Sequence, residues 1–594
     1  MAYGRTGDAR RTYIPHPLAH RRVRLFLFCV FAAFLGIAFK LMNVQLIQRS
    51  HYLALGGYAG SGPEPPVPGG IYARGLEPLA FSVPAVSICA NPMAVASSEL
   101  GISETAREIS RHTGLSAPEI RERLQSGADN NRHFVYIERL LEPEQVQELR
   151  KASLAGIWTT REYRRVYPGD RMACHILGRR SRFHEPLDGL ERRWAFLLEG
   201  YPGTRSRNVD RYGRTILGAD ANEALPPEPG KDVVLTLDWG LQQELELALD
   251  GCMEQHRPLN ATALVMDPRT GEILAMASRP NFSPAGLESG DPDEIERRMN
   301  NVPVMRQYEP GSVFKVLLAA AILEAPGDVS RRSFHCSGSA HIGGGPLRCW
   351  YAQGHGSTDI TSMIARSCNI AAAQFALQIG AEHYHSFLRN LGIGQRTGIG
   401  LPGEAKGSLL SPEKMVPRDL ASLGFGQGVS VSDLQMLSAV SAVVNGGRLM
   451  QPHIVRAAVD QRTNTVSHEF EPLEIRRVCS EETSHRVREM MEATVERGTG
   501  VRAAIEGLRV GGKTGTAQKW IEEAGGFVHG RNIVSFTMVA PLDEPRFAIL
   551  VTADEPIEQR HGSEVAAPVA REIAIAALRQ AGLLPEQAEI DNSS

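Results

Sequence analysis

The run Glu309-Pro-Gly-Ser312-Val-Phe-Lys315-Val-Leu-Leu-Ala-Ala-Ala321 breaks the chain at Pro310 and Gly311 and then enters a helix-forming sequence. Ser312 is thereby predicted at a helix N-terminus, where backbone N–H groups are unpaired and the helix dipole favours negative charge. Lys315 follows three residues later on the same helix face, about 5–6 Å away between Cβ atoms. A serine hydroxyl needs a base before it can attack an acyl carbon, and a lysine can supply one if its surroundings keep it neutral. A helix-capping serine beside a surface lysine fits the same four residues, and S-x-x-K arises often by chance. The rest of the chain has to decide between the two readings.

Two further motifs lie downstream. Ser367-Cys368-Asn369 opens an Ala-rich helix (Ile370-Ala-Ala-Ala-Gln-Phe375). The serine and asparagine can relay a proton and hold a substrate amide, although capping is the commoner job for either residue. Cys368 between them reads as a small apolar core residue. Gly511-Gly-Lys513-Thr514-Gly515-Thr516-Ala-Gln-Lys-Trp520 alternates like a strand, with Gly515 leaving room for a substrate backbone. Lys513 and Thr514 offer a cation and a hydroxyl to a carboxylate; the plain alternative is an edge strand carrying lysine to deter pairing. Gly507 to Thr514 also fits the P-loop pattern, but that motif needs a strand before it and a helix after it, and here the order is reversed.

The surrounding chain sets these motifs in a multidomain protein. Its 594 residues suggest roughly three or four domain-sized units. With 42% hydrophobic and 22% charged residues the composition is ordinary, and a net charge of −3 points away from a nucleic-acid binder. Eight dispersed cysteines make no disulfide scaffold, and no C-x-x-C pair suggests zinc. Arg5, Arg10, Arg11, Arg21, Arg22 and Arg24 precede an apolar run from Leu25 to Phe39. The run reaches the roughly 20 residues a bilayer requires if Lys40 snorkels and the helix continues to Ile47. No A-x-A-like site follows, which favours an uncleaved anchor over a signal peptide or a soluble core helix. Residues 1–24 then form a cytoplasmic tail, 25–47 a single transmembrane helix, and the remainder faces the periplasm or cell exterior.

Beyond a Gly/Pro linker at 55–70, residues 48–225 read as an elongated mixed domain with a helical stretch near 102–127. The Pro-rich Leu225–Gly230 reads as a domain boundary. Residues 230–582 then predict an α/β (α+β) domain. Strands at 262–266 and 272–277 flank the turn Asp267-Pro-Arg-Thr-Gly271. A helix-rich stretch covers about 312–500, strands fall at 513–520, 532–540 and 546–552, and a helix covers about 563–581. Strands at both ends with helices between make one central antiparallel sheet covered by helices, plus an inserted helical lobe. Residues 583–594 are a polar tail.

The ordered trio S-x-x-K, S-x-N and K-T-G marks penicillin-binding proteins and class A β-lactamases. With Val265-Met-Asp-Pro-Arg-Thr-Gly-Glu-Ile-Leu-Ala-Met276, Tyr308-Glu-Pro-Gly311, Gly424-Phe-Gly-Gln-Gly-Val-Ser-Val-Ser-Asp-Leu-Gln435 and Val565-Ala-Ala-Pro-Val569, the stretch from about 230 to 580 resembles the penicillin-binding transpeptidase domain. Tyr167-Pro-Gly, His175-Ile-Leu-Gly178, Gly189-Leu-Glu191 and Asp210-Arg-Tyr-Gly-Arg-Thr215 resemble the pedestal, or dimerisation-type, domain of class B penicillin-binding proteins, the last run its septal, cell-division branch. The family's Arg-Gly-x-Ile-x-Asp-Arg signature is altered here to Gly69-Gly-Ile-Tyr-Ala-Arg74, without the first Arg and the Asp.

The resemblance implies a peptidoglycan D,D-transpeptidase that forms a serine acyl-enzyme and is a β-lactam target. Ser312 is the implied nucleophile, Lys315 its base (kept neutral partly by the charge of Lys513), and Ser367 the proton relay. Asn369 positions Lys315 and the substrate amide. Lys513, Thr514 and Thr516 hold the terminal carboxylate, and the N–H groups of Ser312 and Thr516 form an oxyanion hole. No metal or cofactor is required. The implied partners are D-Ala-D-Ala stem peptides, a membrane glycosyltransferase of the shape–elongation–division–sporulation family and other division proteins. A D,D-carboxypeptidase, a β-lactamase or a non-catalytic β-lactam sensor shares the trio. Cys336 and Cys349 flank a Gly343-Gly-Gly345 turn as either a disulfide or free buried thiols.

Overall fold

The computed structural model of the chain describes residues 63–181, 185–204, 225–286, 290–521, 526–557 and 561–584, together with ten residues between Val30 and Met42. Those ten are helical and exposed. Among the described residues no helix is long and apolar enough to cross a membrane; most of the expected anchor, the polar tail and Asp210–Thr215 lie outside them. The chain forms two units, residues 1–64 with 202–227, and residues 65–201 with 228–594. In the described part of the first, Pro63–Glu64 pairs antiparallel with Gly203–Thr204. The second unit carries Ser312, Ser367 and Lys513.

Its N-terminal part is built on strand β1 (Ile71–Tyr72) and the long β2 (Pro78–Ala90). Helices α1 (Gly101–Thr113) and α2 (Ala117–Asp129) come next, then β3 (Val135–Leu141) and β4 (Ile157–Val166). Val86, Ile88 and Ala90, at alternate positions of β2, pack on Ile109 of α1 and Leu124 of α2. The single helical stretch expected near 102–127 is two helices. Gly114 takes a left-handed φ of 73° that ends the first, and Pro118 begins the next.

The larger part begins with β5 (Lys231–Leu235) and α3 (Trp239–His256). The hairpin β6 (Asn260–Met266) and β7 (Ile273–Arg279) follows. Its turn closes as expected, with Gly271 N–H donating to Asp267 O at 2.9 Å and Arg269 forking onto the Asp267 carboxylate. A single turn at Gly311–Phe314 leads into α4 (Lys315–Leu323). The short strands β8 (Phe334–Cys336), β9 (Ser339–Ile342), β10 (Gly345–Arg348) and β11 (Gly356–Thr358) precede α5 (Ile360–Ala365) and α6 (Asn369–Ile379). Further on lie α7 (Asp433–Val444), β12 (Val455–Asp460), β13 (Thr465–Glu469) and α8 (Glu481–Arg497). Strands β14 (Gly511–Ile521), β15 (Gly526–Ala540) and β16 (Phe547–Asp554) and helix α9 (Ala566–Gln580) close the fold.

Strands from both ends of this part meet in one antiparallel sheet of order β14-β15-β16-β6-β7. This is the expected central sheet. Strand alternation splits its side chains between two cores. Ala261, Ala263 and Val265 of β6 pack with Leu241 and Leu249 of α3 and Ile573 of α9. Leu264 and Met266 face the other way, into the core on the α7 side. The stretch 312–500 differs from the helix-rich expectation. It also contributes β8 to β11, and β12 and β13, which join a second sheet of order β13-β12-β5-β1-β2-β3 with β4 also on β2. β9 and β10 form a tight hairpin across the Gly343-Gly344 turn and β12 and β13 a second one, while β8 with β11 and β12 with β5 depend on pairing between more distant segments.

The altered signature segment finds a different electrostatic solution. Ala73 is fully buried in apolar core. The charge pairing sits instead on Glu191, itself fully buried. Arg165 Nε donates to its Oε1 at 2.6 Å and Arg180 Nε to its Oε2 at 2.7 Å, with the Tyr167 hydroxyl 3.3 Å away. Arg165 also donates to Gly69 O at 2.6 Å, tying the signature segment to this pair. Burial alone would raise the Glu191 pKa, but the two guanidinium groups outweigh it and hold the carboxyl below its ordinary range. Removing the carboxylate leaves two buried cations facing each other. Glu191→Ala is expected to cost about 3–5 kcal/mol, read as a lowered midpoint in urea unfolding; an unchanged midpoint would show the pair to be energetically idle.

Candidate active site

Ser312 lies in the turn that starts α4, and the rest of that helix from Lys315 to Ile322 is buried. The turn is clamped between two glycine approaches. Gly311 has φ 58°, and a Cβ on it would sit 3.1 Å from Thr516 O on β14. Behind it, a Cβ on Gly426 would come 2.2 Å from Gly311 O. Gly426 belongs to the 424–428 run, which here is the loop that backs the turn. Gly428 N–H also donates to Glu309 Oε1 at 2.9 Å. Burial raises the Glu309 pKa, and this N–H bond opposes the rise.

Lys315 is not a surface lysine. Its side chain is fully buried, with Nζ 3.0 Å from Ser312 Oγ, 2.7 Å from Asn369 Oδ1, 2.8 Å from Ser367 O and 3.2 Å from Ser367 Oγ. Lys513 is buried as completely, although β14 is an edge strand. Its Nζ lies 3.0 Å from Ser367 Oγ, 2.9 Å from Thr514 O and 3.3 Å from Thr514 Oγ1. Ser367 Oγ therefore bridges two amines. Ser367 adopts a left-handed φ of 56°, a conformation costing a serine of order 1–3 kcal/mol and met chiefly at functional sites. Neither Ser367 nor Asn369 caps a helix. That role falls to Cys368, whose Sγ accepts from Ala371 N–H at 3.4 Å, leaving its two neighbours for the lysines.

Burial lowers the pKa of both amines, Lys315 to about 8 and Lys513 well below its ordinary value, with repulsion from Lys315 adding to the latter. In the sequence expectation the Lys513 charge helps to keep Lys315 neutral; here desolvation is the cause at Lys315 and the larger effect at Lys513. With its pKa lowered to about 8, the buried Lys315 amine is neutral above that pH, and in the neutral form it can accept the proton of a hydroxyl 3.0 Å away.

The structure gathers Ser312, Lys315, Ser367, Asn369, Lys513 and Thr514 by these bonds, while Gly515 and Thr516 continue β14 past the turn. Thr516 is exposed beside them. What comes close to Gly515 is the protein itself: a Cβ there would lie 2.2 Å from Ser535 Oγ, 2.8 Å from Val313 Cγ2 and 3.3 Å from Pro310 O. One residue is added that no motif announced. Thr499 Oγ1 is 2.7 Å from Thr514 Oγ1, and its N–H donates to Ala365 O at 3.1 Å, linking the strand to the end of α5. The Gly507–Thr514 stretch leads into β14 with no helix behind it, so it cannot act as a P-loop.

The chain is similar to known proteins over most of its length. Residues 261–574 match the model of the penicillin-binding protein transpeptidase domain, and residues 63–185 that of the penicillin-binding protein dimerisation domain. The chain is 37% identical over 455 residues to stage V sporulation protein D of Bacillus subtilis, covering 76% of this chain and 70% of that one. It is 29% identical to the peptidoglycan D,D-transpeptidase FtsI of Escherichia coli, over 87% of this chain and 84% of that one. Penicillin-binding protein 3 of Mycobacterium tuberculosis, solved with aztreonam, superposes with a TM-score of 0.66 at 26% identity, covering 89% of this chain and 99% of that one. In sequence, in fold and in the order of its three motifs, the chain belongs to the class B penicillin-binding proteins.

Proposed function

We propose that the protein is a peptidoglycan D,D-transpeptidase that cross-links stem peptides through an acyl-enzyme on Ser312. The observation that carries this reading is the Ser312 hydroxyl 3.0 Å from the buried Lys315 amine. Ser312 Oγ attacks the carbonyl carbon of the penultimate D-Ala while its proton passes to Lys315 Nζ. Ser367, within reach of both amines, delivers a proton to the departing D-Ala nitrogen as the C–N bond breaks. Asn369 holds Lys315 in line, and Lys513, Thr514 and Thr516 receive the terminal carboxylate. The N–H groups of Ser312 and Thr516 stabilise the tetrahedral oxyanion. The amine of a second stem then attacks the ester, forms the cross-link and frees Ser312. A β-lactam ring opened by Ser312 stops at the acyl stage.

The domain layout follows the sequence: a cytoplasmic tail at 1–24, an anchor at 25–47, a pedestal at 48–225 and the transpeptidase domain at 230–582. The anchor is supported by Phe31, Phe34, Leu35, Ile37 and Met42, which are helical and exposed. It places the catalytic domain outside the cytoplasmic membrane. A septal role, beside a membrane glycosyltransferase of the shape–elongation–division–sporulation family, is supported by the Asp210-Arg-Tyr-Gly-Arg-Thr215 run and by relatives named for sporulation and as FtsI.

Ser312→Ala is expected to abolish covalent labelling by fluorescent penicillin, and Lys315→Met to slow it by roughly 10²–10⁴-fold, both with unchanged circular dichroism. Labelling that survives in Ser312→Ala removes the assignment. Cross-linking of lipid-linked substrate separates a transpeptidase from a carboxypeptidase, a β-lactamase or a sensor, which release D-Ala, turn over penicillin or remain inert.

The pH profile is a second test. Because the folded Lys315 pKa is lowered to about 8, the amine is mostly charged below that pH and neutral above it. The penicillin acylation rate should climb through about pH 8 and then level. A rate that falls across that range would show that a protonated Lys315 is the active form.

A further inference from the structure

Next to the active-site loop, Cys336, Cys349, His355 and Cys368 point one ligand atom each into a common space, all four atoms within 4.8 Å of one another. The three cysteines are buried free thiols. His355 Nδ1 lies 3.8 Å from Cys336 Sγ and 3.5 Å from Cys349 Sγ. Tetrahedral zinc has Zn–S bonds of about 2.3 Å and Zn–N bonds of about 2.0–2.1 Å, so its S···N edges are about 3.6 Å and its S···S edges about 3.8 Å. The two S···N spacings are close to such edges, and the remaining ligand atoms lie within 4.8 Å of one another. Among the described residues this is the single group of three or more such side chains that could hold a metal.

The ligands come from four places that the fold itself brings together. Cys336 ends β8 and Cys349 follows β10, with its N–H donating to Gly338 O at 2.8 Å. His355 precedes β11, and Cys368 caps α6. In sequence they read Cys-x12-Cys-x5-His-x12-Cys, with no close pair to announce a site. The Trp350 and Tyr351 rings lie 5.6 and 5.3 Å from the His355 ring and wall it in. Trp350 Nε1 also donates to Arg366 O at 3.1 Å, one residue before Ser367.

We propose that Cys336, Cys349, His355 and Cys368 bind one zinc ion that fastens the 334–358 strands to the loop carrying Ser367 and Asn369. Three thiolates and an imidazole are a soft donor set that selects zinc over magnesium or calcium. Four protein ligands make a closed, structural site with no position for substrate. Its effect on the reaction is positional, because Cys368 stands between the two residues that touch Lys315. A closed zinc site also accounts for the whole cluster in an oxidising compartment. A single disulfide would leave one thiol and the histidine without a purpose.

The test is the metal content of the full chain, purified in detergent without added metal or reductant. We expect about one zinc per chain by mass spectrometry, and loss of that zinc in Cys349→Ser and in His355→Ala. Cobalt exchanged into the unaltered protein should show the intense visible bands of a tetrahedral thiolate site, a readout that needs no ligand variant to fold. Chain without zinc, or non-reducing peptide mapping that finds Cys336 bonded to Cys349, overturns the proposal. Ser312→Ala should keep its zinc, so the metal result stands apart from the transpeptidase reading. Removing zinc from the unaltered chain should slow penicillin labelling by roughly tenfold or more, reversibly on zinc addition. Unchanged labelling would refute the link between the metal and the loop.

Discussion

The burial of one lysine amine is the constraint on which the site depends. A charged ammonium is costly to move out of water, and the cost is met partly by lowering the pKa and partly by hydrogen bonds. Lys315 Nζ has four oxygen partners, on Ser312, twice on Ser367, and on Asn369. Two segments far apart in the chain must therefore close around a single nitrogen, and Ser367 Oγ ties in a third through Lys513 Nζ. The close approaches at Gly311 and Gly515 follow from that closure, since a Cβ at either would hold the Ser312 turn and β14 apart, and Gly426 backs the same turn from the 424–428 loop.

The sheet that carries β14 is itself pinned by a buried network. Asp433, at the start of α7, accepts from Thr262 Oγ1 on β6 at 2.8 Å and lies 3.4 Å from Arg306 Nη2. Arg306 reaches on to Thr552 Oγ1 on β16 at 2.7 Å. Burial raises the Asp433 pKa, and the arginine and hydroxyl partners oppose it. Removing one member would strand the others in low dielectric, so the network fixes the register of helix against sheet more than it adds net stability. Glu191 plays the same part in the N-terminal region, where it gathers Arg165, Arg180 and Tyr167. All three are met in local motifs or beside them, yet their convergence on one carboxylate is a property of the folded chain.

The central sheet was legible because most of its strands are short apolar runs, buried on both faces, bounded by turn residues such as Asp267-Pro-Arg-Thr-Gly271. The terminal helix was legible from its amphipathic pattern. The division of 102–127 into two helices was written in Gly114 and Pro118, but an amphipathic pattern that continues across both hides it. The strands between 334 and 358, and β12 and β13, were not legible. They are short, and although β9–β10 and β12–β13 are local hairpins, β8 is made a strand by β11 and β12 joins its sheet through the distant β5.

Sequence by itself determined the chemistry on offer: a helix-end serine with a lysine one turn on, a serine and asparagine at a second helix start, and a lysine–threonine–glycine strand, in a fixed order. Those are local facts, carried by residue type and spacing. Only the tertiary structure decided that both lysines are buried, that Cys368 rather than its neighbours takes the capping role, and that three cysteines and a histidine share one space. The physical reason is that desolvation and coordination depend on what surrounds a group from every side. Most of those surroundings come from residues tens to hundreds of positions away.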